Sequence, residues 1–196
     1  MANAATHGEA PIELVPYDPS WPARFEQERR RLKQLLGPWL AGPIEHIGST
    51  AIAHMPGKPI IDIMAPIGDL DAARPAIAAA EGAGYVHYPY RADVMHWFCK
   101  PSAARRTHHL HLVPHASPLW RERLAFRDRL RADRALAAEY AALKIALARR
   151  FRHDREAYTD AKGPFVARVL ALARDRDADP ARAPGSGSAI GNGAPR

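Results

Sequence analysis

Cysteine is nearly absent from this chain. Cys99 alone cannot close an internal disulfide, and its place in an apolar run predicts a buried, inert thiol rather than a nucleophile. Long apolar runs are missing too: none approaches the ~20 residues that a membrane-spanning helix requires, so no membrane partner is expected. The first residues, Met1 to Ala10, carry neither a basic n-region nor an apolar h-region, which argues against a secretory signal and for a cytoplasmic location. No internal repeat is visible. Nor is there a basic run interleaved with aromatics, which counts against an RNA-binding accessory role and makes nucleic acid an unexpected partner.

What remains is an ordinary globular composition, 47% hydrophobic over 196 residues. It leaves room for one domain of roughly 150 to 170 residues. Residues 1–10 and the Gly, Ser, Ala and Pro-rich stretch 176–196 cannot bury enough surface to offset the entropy of ordering and are expected to be disordered. Between them, 11–175 reads as a single domain with a sheet-containing half, 11–116, and a helical half, 117–175. The net charge of +7 is uneven: Ser117 to Asp175 holds fourteen Lys/Arg against eight Asp/Glu. Such a surface meets nucleic acid or concentrates phosphorylated small molecules.

Ser20 is a fair N-cap for a helix with Pro22 in its first turn, and Phe25, Leu32, Leu35 and Leu36 share a face before Gly37-Pro38 stops it. A strand over Ile44 to Ile47 and a second over Ile60 to Met64 follow. Asp69 is then expected to cap a helix reaching Glu81. Tyr85 to Tyr88, Met95 to Lys100 and His108 to Val113 read as strands, the last two joined by a hairpin turn. The remainder is helical: from Ser117-Pro118 to about Arg131, from Arg134 to Arg150, and from near Asp154, with a kink or new start at Gly163-Pro164.

The chemistry gathers between His46 and Met64. The apolar run ends at Gly48-Ser49-Thr50, where small residues and backbone N–H groups suit a phosphate, and the next strand interrupts its apolar face with one carboxylate, Asp62. That acid requires a partner: either it belongs to a functional site, or it is a buried acid paired with Lys58 or a nearby histidine.

A strand, a Gly-Ser turn and a second strand carrying Asp resemble the signature of the polymerase-β-like nucleotidyltransferase superfamily. The motifs H-I-G-S-T-A-I, K-P-I-I-D-I, H-H-L-H-L-V, F-R-D-R-L and Y-A-A-L-K are more closely similar to one branch of it, the GrpB family, over about Val15 to Val169. The resemblance implies an α+β fold: a nucleotidyltransferase-like mixed β-sheet, helices on one face and a helical C-terminal half. It also implies triphosphate on the Gly-Ser turn and metal on the strand acids. GrpB-like domains also occur joined to dephospho-CoA kinases, which brings coenzyme A precursors into view. The chain departs from the superfamily at Met64, a thioether where a second acid would stand and a poor ligand for hard Mg²⁺.

Strand alternation puts His109, His111 and Val113 on one face and His108, Leu110 and Leu112 on the other. If this strand lies beside that of Asp62, then His109, His111, Asp62 and His46 converge as metal ligands or general bases. A His/Asp set favours Zn²⁺, Mn²⁺ or Fe²⁺ over Mg²⁺. On the helices, Arg127, Lys144 and Lys162 fall toward the inward stripes, the last two beside Tyr140 and Tyr158. A buried cation needs an anion, so each meets an internal carboxylate such as Asp128 or Asp160, or lines a cleft.

The expectation is a pocket for a nucleotide or other phosphorylated small molecule. Gly48, Ser49, Thr50, Lys58, Arg127, Tyr140, Lys144, Tyr158 and Lys162 would hold it, and Asp62, His109 and His111 would supply the chemistry. Nucleotidyl or phosphoryl transfer to a small acceptor is the reaction class implied, with Mg, Mn or Zn as the possible metal. The alternative is a non-catalytic nucleotide or coenzyme-A-precursor binding module.

Overall fold

The computed structural model describes residues 11–178. The expected N-terminal disorder over 1–10 lies outside them, as does the expected tail beyond Ala178.

The first helix, α1, spans Trp21–Leu36 and buries Trp21, Phe25, Leu32 and Leu36 at helical spacing. Leu35, expected inside, is 38% exposed. Its place is taken by an unexpected acid, Glu28, which is buried because Lys100 and Tyr85 donate to it at 2.8 and 3.1 Å. Ser20 makes no side-chain cap; instead its N–H donates to Asp18 Oδ1 at 2.8 Å, which closes the turn ahead of the helix. A 3-10 turn at Gly37–Trp39 ends the segment.

Strands β1 (Glu45–Ile47), β2 (Ile61–Ile67), β3 (Val86–Tyr88), β4 (His96–Pro101) and β5 (Arg106–Pro114) form one sheet in the order β1-β2-β5-β4-β3. Only the β2–β5 pair is parallel; the other three pairs are antiparallel. Helix α2 (Pro75–Gly82) starts later than expected, because Asp69 closes a turn by accepting the N–H groups of Asp71 and Ala72 and the helix begins at the pre-organised Pro75.

Alternate residues of the central strands separate two environments. Ile61, Ile63, Ala65 and Ile67 join Leu110, Leu112 and Phe98 in the main core, covered by α1 and α2. Full burial of such side chains contributes roughly 1.5–3 kcal/mol each. The opposite face carries Asp62, Met64, Trp97, His109 and His111.

Over that second face come α3 (Pro118–Ala132), α4 (Arg134–Arg150), α5 (Arg155–Asp160) and α6 (Gly163–Ala178). Ser117, Asp133 and Asp154 cap the first three by accepting backbone N–H bonds. Leu119 and Trp120 of α3 pack on Met64 and Val113, whereas Tyr140, Phe165 and Val169 of α4 and α6 pack on Ile52 and Met55 from the β1–β2 connection. The break at Gly163 is a new helix start, and α6 continues to Ala178, past the expected end of the domain at 175. The mixed sheet with its helical C-terminal half is the α+β, nucleotidyltransferase-like fold the sequence implied. Among the described residues no helix is long and apolar enough to cross a membrane. Cys99 is fully buried, and burial raises its thiol pKa.

Candidate functional site

The site begins where β1 runs out. Gly48 takes φ +70°, a conformation that costs an L side chain strain, and the chain enters a 3-10 turn at Ser49–Ala51. A Cβ on Gly48 would stand 3.0 Å from Asp62 Cγ, and one on Gly57 would stand 2.9 Å from Ser49 Cβ. The two glycines thus let Asp62 and Ser49 approach the backbone.

Thr50 and His46 belong to the scaffold beneath. The Thr50 hydroxyl donates to the Ile60 carbonyl at 3.3 Å and lies 2.9 Å from His46 Nε2. The His46 ring stacks on Phe25 with centroids 4.5 Å apart, and burial lowers its pKa to about 4, so it is neutral. His46 therefore does not join the acid and imidazoles as a fourth ligand. Its Cα partner across the β1–β2 ladder is Ile63, a residue of the main core, which places it on the face away from Asp62.

The other convergence occurs. In the parallel β2–β5 register Asp62 lies opposite His109 and Met64 opposite His111. His109 Nδ1 is 2.8 Å from Asp62 Oδ1, and His111 Nε2 is 3.8 Å from the same oxygen. A carboxylate only accepts, so His109 donates from Nδ1. The Nε2 atoms of both imidazoles are buried without a hydrogen-bond partner among the described residues.

Burial opposes ionisation of Asp62, yet the His109 hydrogen bond and the favourable electrostatics of both histidines outweigh it and hold the acid well below the usual carboxylate range. Burial, followed by the charge of Arg123 on α3, lowers His111 to about 4. One ligand atom from each of Asp62, His109 and His111 falls within 4.8 Å of the others. An ionised acid and two imidazole nitrogens without a hydrogen-bond partner among the described residues fit a transition metal such as Zn²⁺ or Mn²⁺ better than Mg²⁺.

The lysines close the other end. Lys144 Nζ donates to Ser49 Oγ at 2.8 Å and to the Pro56 carbonyl, tying α4 to the Gly-Ser turn. Lys58 and Lys162 flank Tyr158, their Nζ atoms 4.9 and 4.3 Å from its ring centroid, and Lys144 lies 5.0 Å from that of Tyr140. Burial lowers Lys144 to about 7 and Lys58 and Lys162 to about 8, with mutual repulsion adding to the shift for Lys144 and Lys58.

These groups share a cavity of about 760 Å³ lined by Ser49, Thr50, Lys58, Asp62, His109, Tyr140, Lys144, Tyr158 and Lys162. Gly48 and His111, also expected in the site, are not among its lining residues. Arg127 was expected in the cavity and is elsewhere. It donates to Glu45, Asp128 and the His46 carbonyl at 2.6 to 3.0 Å, so internal carboxylates satisfy this cation. Arg106, Arg155, Tyr88, Tyr90 and Trp97 also line the cavity and escaped notice in the sequence. Alternation along β4 would have put Trp97 on the His111 face had the β4–β5 pairing been known.

Residues 11–172 match the family described as GrpB protein. The chain belongs to the GrpB family. A UPF0157 protein of Pseudomonas aeruginosa is 41% identical over 168 residues, spanning 83% of this chain and 67% of that one. The crystal structure of the conserved protein GrpB from Enterococcus faecalis superposes with a TM-score of 0.76 at 28% identity, covering 85% of this chain and all of the other. A dephospho-CoA kinase of Mycolicibacterium paratuberculosis is 30% identical over 181 residues; the match takes in 80% of this chain but 44% of the kinase. GrpB family membership thus joins the chain to proteins that share its sheet and helical half.

Proposed function

We propose that this GrpB-family protein binds a nucleotide or another phosphorylated small molecule in the cleft between the sheet and α4–α6. The Lys144–Ser49 hydrogen bond carries this reading. A buried ammonium that meets a hydroxyl and a carbonyl but no carboxylate is an electrostatic debt, and Lys58 and Lys162, which feel the Asp62 carboxylate, add two more cations to the same cavity. A phosphate chain on the Gly48-Ser49-Thr50 turn neutralises all three.

Nucleotidyl or phosphoryl transfer to a small acceptor is the chemistry such a site performs, chiefly through positioning and charge stabilisation. The lysines hold the leaving phosphates. Ser49 orients them. His109 Nε2 serves either as a metal ligand or as the acceptor of the attacking hydroxyl's proton. A divalent metal held by Asp62, His109 and His111 would polarise a phosphoryl oxygen when bound.

A second reading, a non-catalytic module for nucleotides or coenzyme A precursors, is favoured by Met64 in place of a second acid and by the likeness to dephospho-CoA kinases. Calorimetric titration of the purified protein with ATP, dephospho-CoA and inorganic tripolyphosphate, with and without chelator, separates the two. Metal-dependent turnover supports transfer; tight binding indifferent to chelator and without turnover supports the module. No binding of any of these anions refutes both.

A further inference from the structure

The cavity has a second chemistry besides the lysines. Tyr88 on β3 and Trp97 on β4 are register partners, and Trp97 is in turn the partner of His111 on β5, so both aromatic side chains stand on the face that bears Asp62. Their ring centroids are 5.7 Å apart. Tyr90, in the turn after β3, sets its ring edge-on to Trp97 at 6.0 Å and is 54% exposed. Beside it Arg91 takes φ +50°, an uncommon conformation for a residue other than glycine, so the turn that presents Tyr90 carries local strain. The Arg106 guanidinium lies 5.5 Å from the Trp97 centroid.

These groups line one cavity. Trp97 is 5.1 Å from the His109 ring, His109 is 2.8 Å from Asp62, and Asp62 acts electrostatically on Lys58 and Lys162. A lone phosphate fills a small part of a cavity of about 760 Å³ and leaves the aromatic end wet. Three aromatic rings, one of them half in solvent, offer a face to any planar π-system.

We infer that the ligand is a nucleotide whose base lies on the Tyr88–Tyr90–Trp97 wall while its phosphates meet the lysines of the same cavity. This rests on the anion reading above for the phosphate end and adds the nucleoside end. Base stacking tolerates every base, so the wall selects for a nucleoside rather than for a particular one.

The test compares ATP, GTP, CTP and UTP with inorganic tripolyphosphate, which carries the same phosphate chain without a nucleoside, by calorimetry on the full chain. The expected result is that at least one nucleotide binds about tenfold or more tighter than tripolyphosphate. Tyr90→Ala, at an exposed position, should shrink that ratio to about threefold or less while leaving tripolyphosphate affinity unchanged, and Tyr90→Phe should restore it. Trp97→Leu should act in the same direction. Equal affinity of the wild-type protein for nucleotides and tripolyphosphate overturns the aromatic site and leaves the anion site standing. Tight nucleotide binding untouched by Tyr90→Ala and Trp97→Leu also overturns it. Failure of every phosphorylated probe to bind overturns both readings together.

Discussion

The missing side chain of Gly48 is the space into which the carboxylate of Asp62 fits. A Cβ there would meet Asp62 Cβ and Cγ at 3.0 Å, and the backbone stands at φ +70°. Gly48→Ala thus meets two obstacles, a left-handed conformation and a collision with an acid pinned by His109. Denaturant titration should show a loss of about 3 kcal/mol, seen as a lower midpoint at unchanged slope. A midpoint equal to wild type would show that Asp62 moves aside freely.

Asp62→Asn keeps the volume and removes the charge that both imidazoles face. Binding of Zn²⁺ or Mn²⁺, followed by elemental analysis after dialysis, should be lost while the far-ultraviolet circular dichroism stays native. Retention of stoichiometric metal by the variant, or of full turnover where turnover is found, would remove Asp62 from the centre of the site.

Lys144→Met replaces an ammonium that burial already penalises with an apolar chain of similar length. Affinity for tripolyphosphate should fall about tenfold or more, with the melting temperature of the free protein unchanged or higher. Lys162→Met should behave alike. A large loss of melting temperature at intact anion affinity would make these lysines structural struts.

Protonation gives a fourth handle, with opposite signs in the free and bound states. Lys144 is lowered from 10.5 to about 7, and Lys58 and Lys162 to about 8, chiefly by burial. Between these values and 10.5 the unfolded chain holds more protons than the folded one, so these groups make stability rise with pH across that window. Anion binding requires the charged lysines, so the stabilisation by tripolyphosphate should shrink from about pH 6 to about pH 9. Thermal melts at both pH values, with and without the anion, check the two slopes. A ligand effect that grows with pH would exclude the lysines as its partners.

Much of the fold could be read locally. The Gly-Ser turn, the acid on the following strand, the face alternation of H-H-L-H-L-V and the helix starts at Ser117 and Asp154 follow from backbone chemistry within a few residues. Periodicity also put Arg127 and Lys144 alike toward the inward side of their helices. It could not tell them apart, because each cation's role depends on what faces it from far along the chain. Arg127 meets Glu45, 82 residues away, and is satisfied; Lys144 meets Ser49, 95 residues away, and is not neutralised.

The sequence by itself determined which face of its own strand or helix each side chain occupies, since that is fixed by the period of the backbone. Only the tertiary structure decided which faces meet. It set β5 parallel to β2, so that His109 bonds Asp62, and it turned His46 away onto Phe25. It also laid Tyr88 and Trp97 along the same wall. Strand order and register are chosen by the burial of the whole apolar set at once, and that sum is not contained in any short window of residues.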